Sequence, residues 1–126
     1  MKVRNALLLA AAMACAAVLA QAPAIKRVIL QRGDVTADRE VVLGRAEIEA
    51  GGATGRHTHF GPETGMVLEG TTVLEIDGEP PKILKAGDSY FIPAGVVHNA
   101  KAEGGTAKVI ATYVVEKGKP LATPAP

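Results

Sequence analysis

The amino-acid sequence predicts an all-β domain, built as a sandwich or a barrel. The chain of 126 residues is long enough for one domain, and its 14 glycines and 8 prolines indicate many turns. After the N-terminal segment, turn signals recur roughly every 8–12 residues between short β-prone runs. No run of that part has apolar residues at helical spacing. These three observations together favour strands over helices.

The chain begins with the features of a secretory signal peptide. Lys2 and Arg4 precede an unbroken apolar run from Ala6 to Ala20. This run is shorter than the roughly 20 residues needed to span a bilayer, and small residues follow it. We therefore predict a signal peptide over residues 1–22.

Cleavage of this signal is predicted after Ala20, or alternatively after Ala24. The mature protein would then be periplasmic or secreted and would have no stable membrane span. An uncleaved anchor and a lipoprotein processed at Cys15 are the alternatives, although the residues before Cys15 lack the usual leucine. Cleavage after Ala20 would leave no cysteine in the mature chain, and so no thiol ligand or nucleophile.

The rest of the chain alternates between β-prone runs and turns. Ala46 and Ile48 alternate with Arg45 and Glu47, which is typical of a half-buried strand. The stretch 101–105 is predicted to be a polar loop. The β-prone runs lie at residues 25–30, 41–49, 57–60, 64–69, 71–77, 82–85, 89–92, 96–98 and 106–116.

The domain boundaries follow from this pattern. Residues 118–126 contain three prolines, and we expect them to form a flexible tail. The folded domain is thus predicted to occupy residues 23–117.

Two histidines and a carboxylate have the spacing of a metal site. His57 and His59 are two residues apart, so on a strand their imidazoles would face the same side. The turn residues Gly61-Pro62 could bring Glu63 back toward them. The third and last histidine, His98, follows another turn. A metal site is the leading interpretation.

These residues carry a resemblance to a known family. The pattern Gly51-x5-His57-x-His59-x3-Glu63-x6-Gly70 resembles the first cupin motif at every defined position. The pattern Gly87-x5-Pro93-x-Gly95-x2-His98 resembles the second motif through its histidine. The second motif usually ends in asparagine four residues later, where this chain has Ala102, and this departure puts a turn or supporting contact in doubt.

The resemblance, with the strand pattern around the motifs, implies a single-domain cupin jelly-roll β-barrel. It implies that four side chains meet inside the barrel as metal ligands: His57, His59, Glu63 and His98. Three imidazoles and one carboxylate suit a divalent transition metal (Fe, Mn, Ni, Cu, Co or Zn) better than Ca²⁺ or Mg²⁺. Such a site should favour anionic small molecules. A degenerate cupin whose histidines only fill the barrel is the alternative.

The function expected from the resemblance is a metalloenzyme for a small oxygenated or anionic substrate. A dioxygenase-type oxidoreductase and an isomerase or lyase both fit, and Glu63 could serve as a proton shuttle. A non-catalytic periplasmic binding module and a structural dimer with an incidental site are the alternatives. Cupins are often dimers, so a homodimer is also expected.

Other residues are weaker candidates for the site. Arg56 could meet a substrate carboxylate, but strand parity turns it away from His57. We expect five residues to line the pocket: Phe60, Met66, Tyr90, Ile92 and Tyr113. A formal net charge of +1, no basic cluster and few aromatic residues argue against nucleic acid as a partner.

Overall fold

The computed structural model describes residues 24–126, and the fold of this part is all-β, as predicted. Ten strands form two antiparallel sheets of five strands each. The predicted signal peptide lies outside the described residues. The strands are Ile25–Asp34 (β1), Arg39–Ile48 (β2), His57–Thr58 (β3), Glu63–Glu69 (β4), Thr71–Ile76 (β5), Lys82–Lys85 (β6), Ser89–Ile92 (β7), His98–Ala102 (β8), Ala107–Glu116 (β9) and Thr123–Pro124 (β10).

The two sheets differ in strand order. The first has the order β1-β2-β9-β4-β7, and the second has the order β10-β3-β8-β5-β6. Successive strands thus often lie in different sheets. The passage from β4 to β5 depends on Gly70, whose φ is +75°. A Cβ on Gly70 would lie 2.4 Å from the carbonyl oxygen of Thr106, so both the conformation and the space require glycine.

The core is made by inward-facing residues of the two sheets. In β5 the side chains of Thr72, Leu74 and Ile76 are buried, whereas the intervening residues are only partly buried, as the period of two requires. The larger buried cluster consists of Val67, Leu74, Ile76, Leu84, Ile92 and Val109. A smaller cluster consists of Ile48, Ala102 and Ala107.

The loop predicted for residues 101–105 is wrong for its first two residues. Lys101 and Ala102 belong to β8 and pair with Val73 and Thr72 of β5. The Lys101 ammonium lies 2.6 Å from a carboxylate oxygen of Glu75 on β5, so this polar residue sits on the outer face of a strand. A charged residue on an exposed face does not end a strand when the neighbouring strand provides its partner.

The C-terminal segment corrects another expectation. We expected residues 118–126 to be a flexible tail, but β10 pairs with β3, with Thr123 opposite Thr58 and Pro124 opposite His57. The amide of Ala125 donates to the carbonyl of Arg56 at 3.0 Å. Proline is tolerated in a strand at a sheet edge, where its missing donor faces outward. This segment, residues 119–126, is called the C-terminal strap below.

No helix among residues 24–126 is long and apolar enough to cross a membrane.

Candidate metal centre

The structure brings together the four residues that the two sequence motifs contain. One potential ligand atom from each of His57, His59, Glu63 and His98 lies within 4.8 Å of the others. His59, Glu63 and His98 are buried, and His57 is half-buried. This grouping is close enough for all four residues to contact one ion.

Strand pairing places these side chains. His57 of β3 lies directly opposite His98 of β8, and their ring centroids are 4.2 Å apart. Glu63 begins β4 in the other sheet, where it lies opposite Ile92 of β7 and Tyr113 of β9. The site therefore lies between the two sheets, with at least one residue from each.

The three imidazoles are oriented by backbone carbonyls. The Nδ1 atom of His57 lies 2.7 Å from the carbonyl oxygen of Gly55, and that of His98 lies 2.9 Å from the carbonyl oxygen of Val96. The Nδ1 atom of His59 lies 2.5 Å from the carbonyl oxygen of Leu121 in the C-terminal strap. A carbonyl oxygen can only accept, so each Nδ1 carries the proton. In the neutral imidazoles Nε2 then carries the free lone pair.

The atoms that face each other at the centre fit a cation. Nε2 of His59 and Nε2 of His98 lie 2.9 and 3.1 Å from Oε2 of Glu63. All three atoms are buried and have no hydrogen-bond partner. Buried acceptors that converge without a donor are unfavourable unless something positive lies between them. A divalent transition metal, bound by imidazole nitrogen and carboxylate oxygen, matches this donor set.

The Glu63 carboxylate is held in its ionised form. Burial raises its pKa, but hydrogen bonds that His59 and His98 donate when their imidazoles are protonated, together with the hydroxyl of Tyr90, outweigh burial and lower the pKa to about 2. The Tyr90 hydroxyl donates to Oε1 at 2.7 Å. Glu63 is therefore a carboxylate at any pH near neutrality.

The imidazoles of His57 and His98 respond differently to the site. Burial lowers the pKa of His57. Burial also opposes the charged form of His98, but the contact with Glu63 and the bond to Val96 prevail and raise the pKa of His98 above 6.5. His98 is thus protonated more readily than His57.

A cavity of about 80 Å³ opens onto these residues. Since one water molecule needs roughly 10–15 Å³ by this measure, the space suits a molecule of several non-hydrogen atoms. Tyr90, Ile92 and Tyr113 are among the residues that line the cavity. Most of the other lining side chains are apolar, among them Val28, Ile29, Ile48, Leu74 and Val109.

Phe60 and Met66 do not line this cavity, contrary to expectation. Met66 is 42% exposed because its parity in β4 is opposite to that of Glu63. Phe60 follows the inward-facing His59 and is 40% exposed, with the Lys119 ammonium 5.3 Å from its ring centroid. Arg56 also faces away from the cavity, because its guanidinium pairs with both carboxylate oxygens of Asp77 at 2.9 Å.

The sequence did not identify several of the residues that line the cavity. Arg27, Thr54 and Leu121 also line the cavity. Parity within the first β-prone run would have placed Arg27 on the same face as Ile25 and Ile29. Nothing local signals the role of Leu121, because its carbonyl reaches His59 from 62 residues away.

Ala102 stands where the second cupin motif usually has asparagine, and the structure shows what surrounds this position. Ala102, at that position, is buried with Ile48 and Ala107, and its amide donates to the carbonyl of Gly52 at 3.0 Å. Asn99 is also buried and donates to a carboxylate oxygen of Glu75 at 3.1 Å. Neither residue is among those that line the cavity, so the departure leaves the four converging residues intact.

Comparison with known proteins agrees with this geometry. The cupin domain family model matches residues 44–116, which are more than half of the chain. Dimethylsulfoniopropionate lyase DddW from Ruegeria pomeroyi is 38% identical over 73 residues, covering 58% of this chain and 47% of that protein. The chain therefore spans about half the length of this curated relative.

Solved structures show the same architecture. Dimethylsulfoniopropionate lyase DddQ from Ruegeria pomeroyi has a TM-score of 0.68 at 18% identity, over 80% of this chain and 51% of that one. KdgF from Halomonas sp. has a TM-score of 0.61 at 24% identity, over 75% of this chain and 81% of that one. At such low identity these likenesses show the fold alone, and they confirm the predicted jelly-roll barrel.

Proposed function

The chain belongs to the cupin domain family, and from that premise we propose that it is a metal-dependent lyase for a small carboxylate substrate. One observation carries the metal part of this proposal. Nε2 of His59, Nε2 of His98 and Oε2 of Glu63 converge, buried and without partners, where a small cavity opens. A site that only filled a barrel would instead pair these atoms with donors of the chain.

The lyase part rests on sequence likeness. The 38% identity to a dimethylsulfoniopropionate lyase over 73 residues covers more than half of this chain. The cavity also suits the carboxylate end of such a substrate, because a bound metal would be a cationic centre beside a small apolar space. The same chemistry would suit other carboxylates that carry a leaving group on the carbon β to the carboxylate.

Each residue of the site has a defined task in this proposal. His57, His59 and His98 present Nε2, and Glu63 presents Oε2, to a divalent metal. When bound, the metal would act as a Lewis acid toward a substrate oxygen and so acidify the adjacent C–H bond. Tyr90 fixes the orientation of Glu63 through its 2.7 Å hydrogen bond.

Two groups could move a proton in the cavity. Tyr113 is one of these groups, and it lines the cavity. Burial and the Glu63 charge raise the pKa of Tyr113, so its hydroxyl holds its proton in the metal-free protein. A proton-shuttle role for Glu63, expected from the sequence, remains part of the proposal. Its pKa of about 2 favours its role as a metal ligand.

The test combines elemental analysis with a turnover assay. Protein purified without chelators or a histidine tag should contain about one transition metal per chain. Incubated with dimethylsulfoniopropionate, it should remove the proton at C2 and break the C3–S bond, releasing acrylate and dimethyl sulfide in equal amounts. The metal-free protein is the control, and re-addition of the metal should restore the reaction.

Other outcomes of that test distinguish the alternatives. Oxygen consumption with phenolic or diketone substrates would replace the lyase with an oxidoreductase. Saturable binding of unchanged ligand, without turnover across carboxylate, phenolic, diketone and uronate panels, would make the protein a binding module. Absence of any bound metal would contradict the proposal entirely.

We further propose that the protein is exported. Lys2, Arg4 and the apolar run to Ala20 support this. Mass spectrometry of the protein from a periplasmic fraction should find a mature N-terminus just after Ala20 or Ala24. The full-length chain in the cytoplasmic fraction alone would contradict it.

A homodimer is also part of the proposal. Met66, Leu68 and Phe91 are 42%, 42% and 61% exposed on neighbouring strands β4 and β7 of the same sheet. Exposed apolar residues on one sheet face are consistent with association of two copies. Light scattering on the eluted protein should give twice the chain mass, and a monomer at micromolar concentration would contradict it.

A further inference from the structure

Arg27 lies on the inner face of the edge strand β1. In the register of β1 and β2, Ile25 lies opposite Ile48 and Arg27 lies opposite Ala46. Ile48 is fully buried in the core, and Arg27 is two residues from Ile25, so Arg27 is on the strand face that Ile25 turns toward the core. The Arg27 side chain is itself exposed to solvent. Arg27 accordingly lines the same cavity as the four converging residues.

Arg27 also differs from the other arginines of residues 24–126. Each of the others has a carboxylate partner within 4.0 Å: Arg32 with Glu40, Arg39 with Glu116, Arg45 with Glu47 and Arg56 with Asp77. Arg27 has no such partner in this part of the chain. Its Nη2 donates to the carbonyl oxygen of Thr54 at 2.8 Å, which fixes one edge of the guanidinium. The remaining N–H groups are available for another acceptor.

Arg27 shares its cavity with residues of the candidate metal site. The ring of Tyr113 packs against His59, with 4.7 Å between the ring centroids. Arg27, Tyr113 and His59 all line this cavity.

We propose that Arg27 binds the carboxylate of the substrate and makes the cavity selective for anions. A guanidinium with free donors pairs with a carboxylate in a planar geometry that lysine does not reproduce. This inference rests on the proposed function for the substrate class, a small carboxylate. It adds the residue that recognises the charged end.

The experiment measures binding and does not require turnover. The probes are propanoate and its neutral analogue propanamide, titrated calorimetrically into the metal-loaded protein. The wild type should bind propanoate more tightly than propanamide. In Arg27→Gln the propanoate affinity should fall about 10-fold or more while the propanamide affinity changes little, since a charge-assisted pair has been lost.

Two variants serve as controls. Arg32→Gln removes an arginine from the same strand that pairs with Glu40 at 3.2 Å and does not line the cavity, so it should leave both affinities unchanged. Arg27→Lys should recover only part of the propanoate affinity. Higher salt should weaken propanoate binding to the wild type more than to Arg27→Gln, because screening acts on the exposed charge.

The outcomes separate this inference from the proposed function. Equal preference for propanoate in the wild type and in Arg27→Gln, or no propanoate binding by the wild type, would overturn the inference even if the enzyme turns over a carboxylate. An Arg27-dependent preference without any turnover would support the inference and contradict the lyase.

Discussion

The hydroxyl of Tyr90 on β7 donates a 2.7 Å hydrogen bond to Oε1 of Glu63 on β4. Tyr90 does not lie opposite Glu63 in the sheet, because its register partner is Gly65. Its ring therefore crosses over the backbone of Gly65 to reach the carboxylate. One carboxylate oxygen is thereby occupied, and Oε2 is left to face His59 and His98.

Gly65→Ala should break the hydrogen bond between Tyr90 and Glu63. A Cβ at position 65 would lie 2.4 Å from the Tyr90 hydroxyl oxygen, so the ring must move away from Glu63. We expect the free energy of unfolding to fall by about 1–3 kcal/mol, as for other overpacked sites. Metal affinity, measured by competition with a chelator, should fall as well.

Tyr90→Phe is the matched variant for this prediction. It keeps the ring and removes only the hydroxyl, so it should weaken metal binding with a smaller loss of stability than Gly65→Ala. If both variants bind metal as tightly as the wild type, the hydrogen bond does not position Glu63.

Replacing His57 or His98 with alanine should remove the bound metal. Each change deletes one of the four converging ligand atoms, and a transition metal held by three remaining ligands is released more readily. The melting temperature of the variants should then no longer rise when metal is added, because metal stabilises only the form that binds it.

Thr58→Ala is the control, since Thr58 lies between the two histidines of the first motif but is not one of the converging residues. It should keep its metal. Stoichiometric metal in both histidine variants, by elemental analysis, would refute the site.

Metal affinity should decrease as the pH falls through the raised pKa of His98. Protons compete with the metal for Nε2, and the pKa of His98 is raised above 6.5, mainly by Glu63 against the opposing effect of burial. Glu63, with a pKa of about 2, stays ionised and does not compete. We expect roughly a tenfold loss of affinity per pH unit for each imidazole that must lose a proton.

In the metal-free protein, the contribution of His98 to the free energy of unfolding should change with pH in the opposite direction to the metal affinity. Because the pKa of His98 is raised in the folded state, protonated His98 stabilises the fold below pH 6.5, and this contribution is lost as the pH rises through the folded pKa. Chelator competition and denaturant titrations from pH 5.5 to 8 measure both effects. A metal affinity independent of pH over this range would contradict the involvement of His98.

Removing the C-terminal strap should weaken metal binding without unfolding the barrel. The strap supplies the Leu121 carbonyl to Nδ1 of His59 at 2.5 Å. Loss of such an orienting contact typically costs roughly 10–100-fold in metal affinity. Circular dichroism should still show the β-sheet spectrum, since the buried clusters contain no strap residue.

A chain that ends after Ala122 is the informative comparison. It keeps the Leu121 carbonyl but loses the pairing of β10 with β3, so its metal affinity should lie between those of the strapless and full-length forms. A strapless form that binds as tightly as the full chain would show that His59 is oriented without Leu121.

Local patterns made much of the fold and the site predictable. The predicted runs at 82–85 and 89–92 have the same first and last residues as β6 and β7, because turn residues flank them on both sides. Spacing alone made His57, His59 and Glu63 candidate ligands, and the resemblance to the two cupin motifs added His98. Alternation also marks which residues of β5 face the core.

The rest depends on partners that are distant in the sequence. Thr123 and Pro124 form a strand only because β3 offers its edge, and nothing in a proline-rich segment signals this. Arg27 lines the cavity because β1 pairs with β2 in the register that puts Arg27 opposite Ala46. Lys101 is in a strand because its backbone pairs with that of Val73 on β5. Such pairings are tertiary, and a single segment does not encode them alone.

The pairing of β10 with β3 has a practical consequence for protein engineering. Arg56 donates through Nε to the backbone oxygen of Pro126 at 2.5 Å. This bond holds Pro126 beside β3, the strand that contains His57. An affinity tag fused after Pro126 would begin at this point. A run of histidines there would compete for the same ions, and metal contents measured on that fusion would combine the tag with the protein.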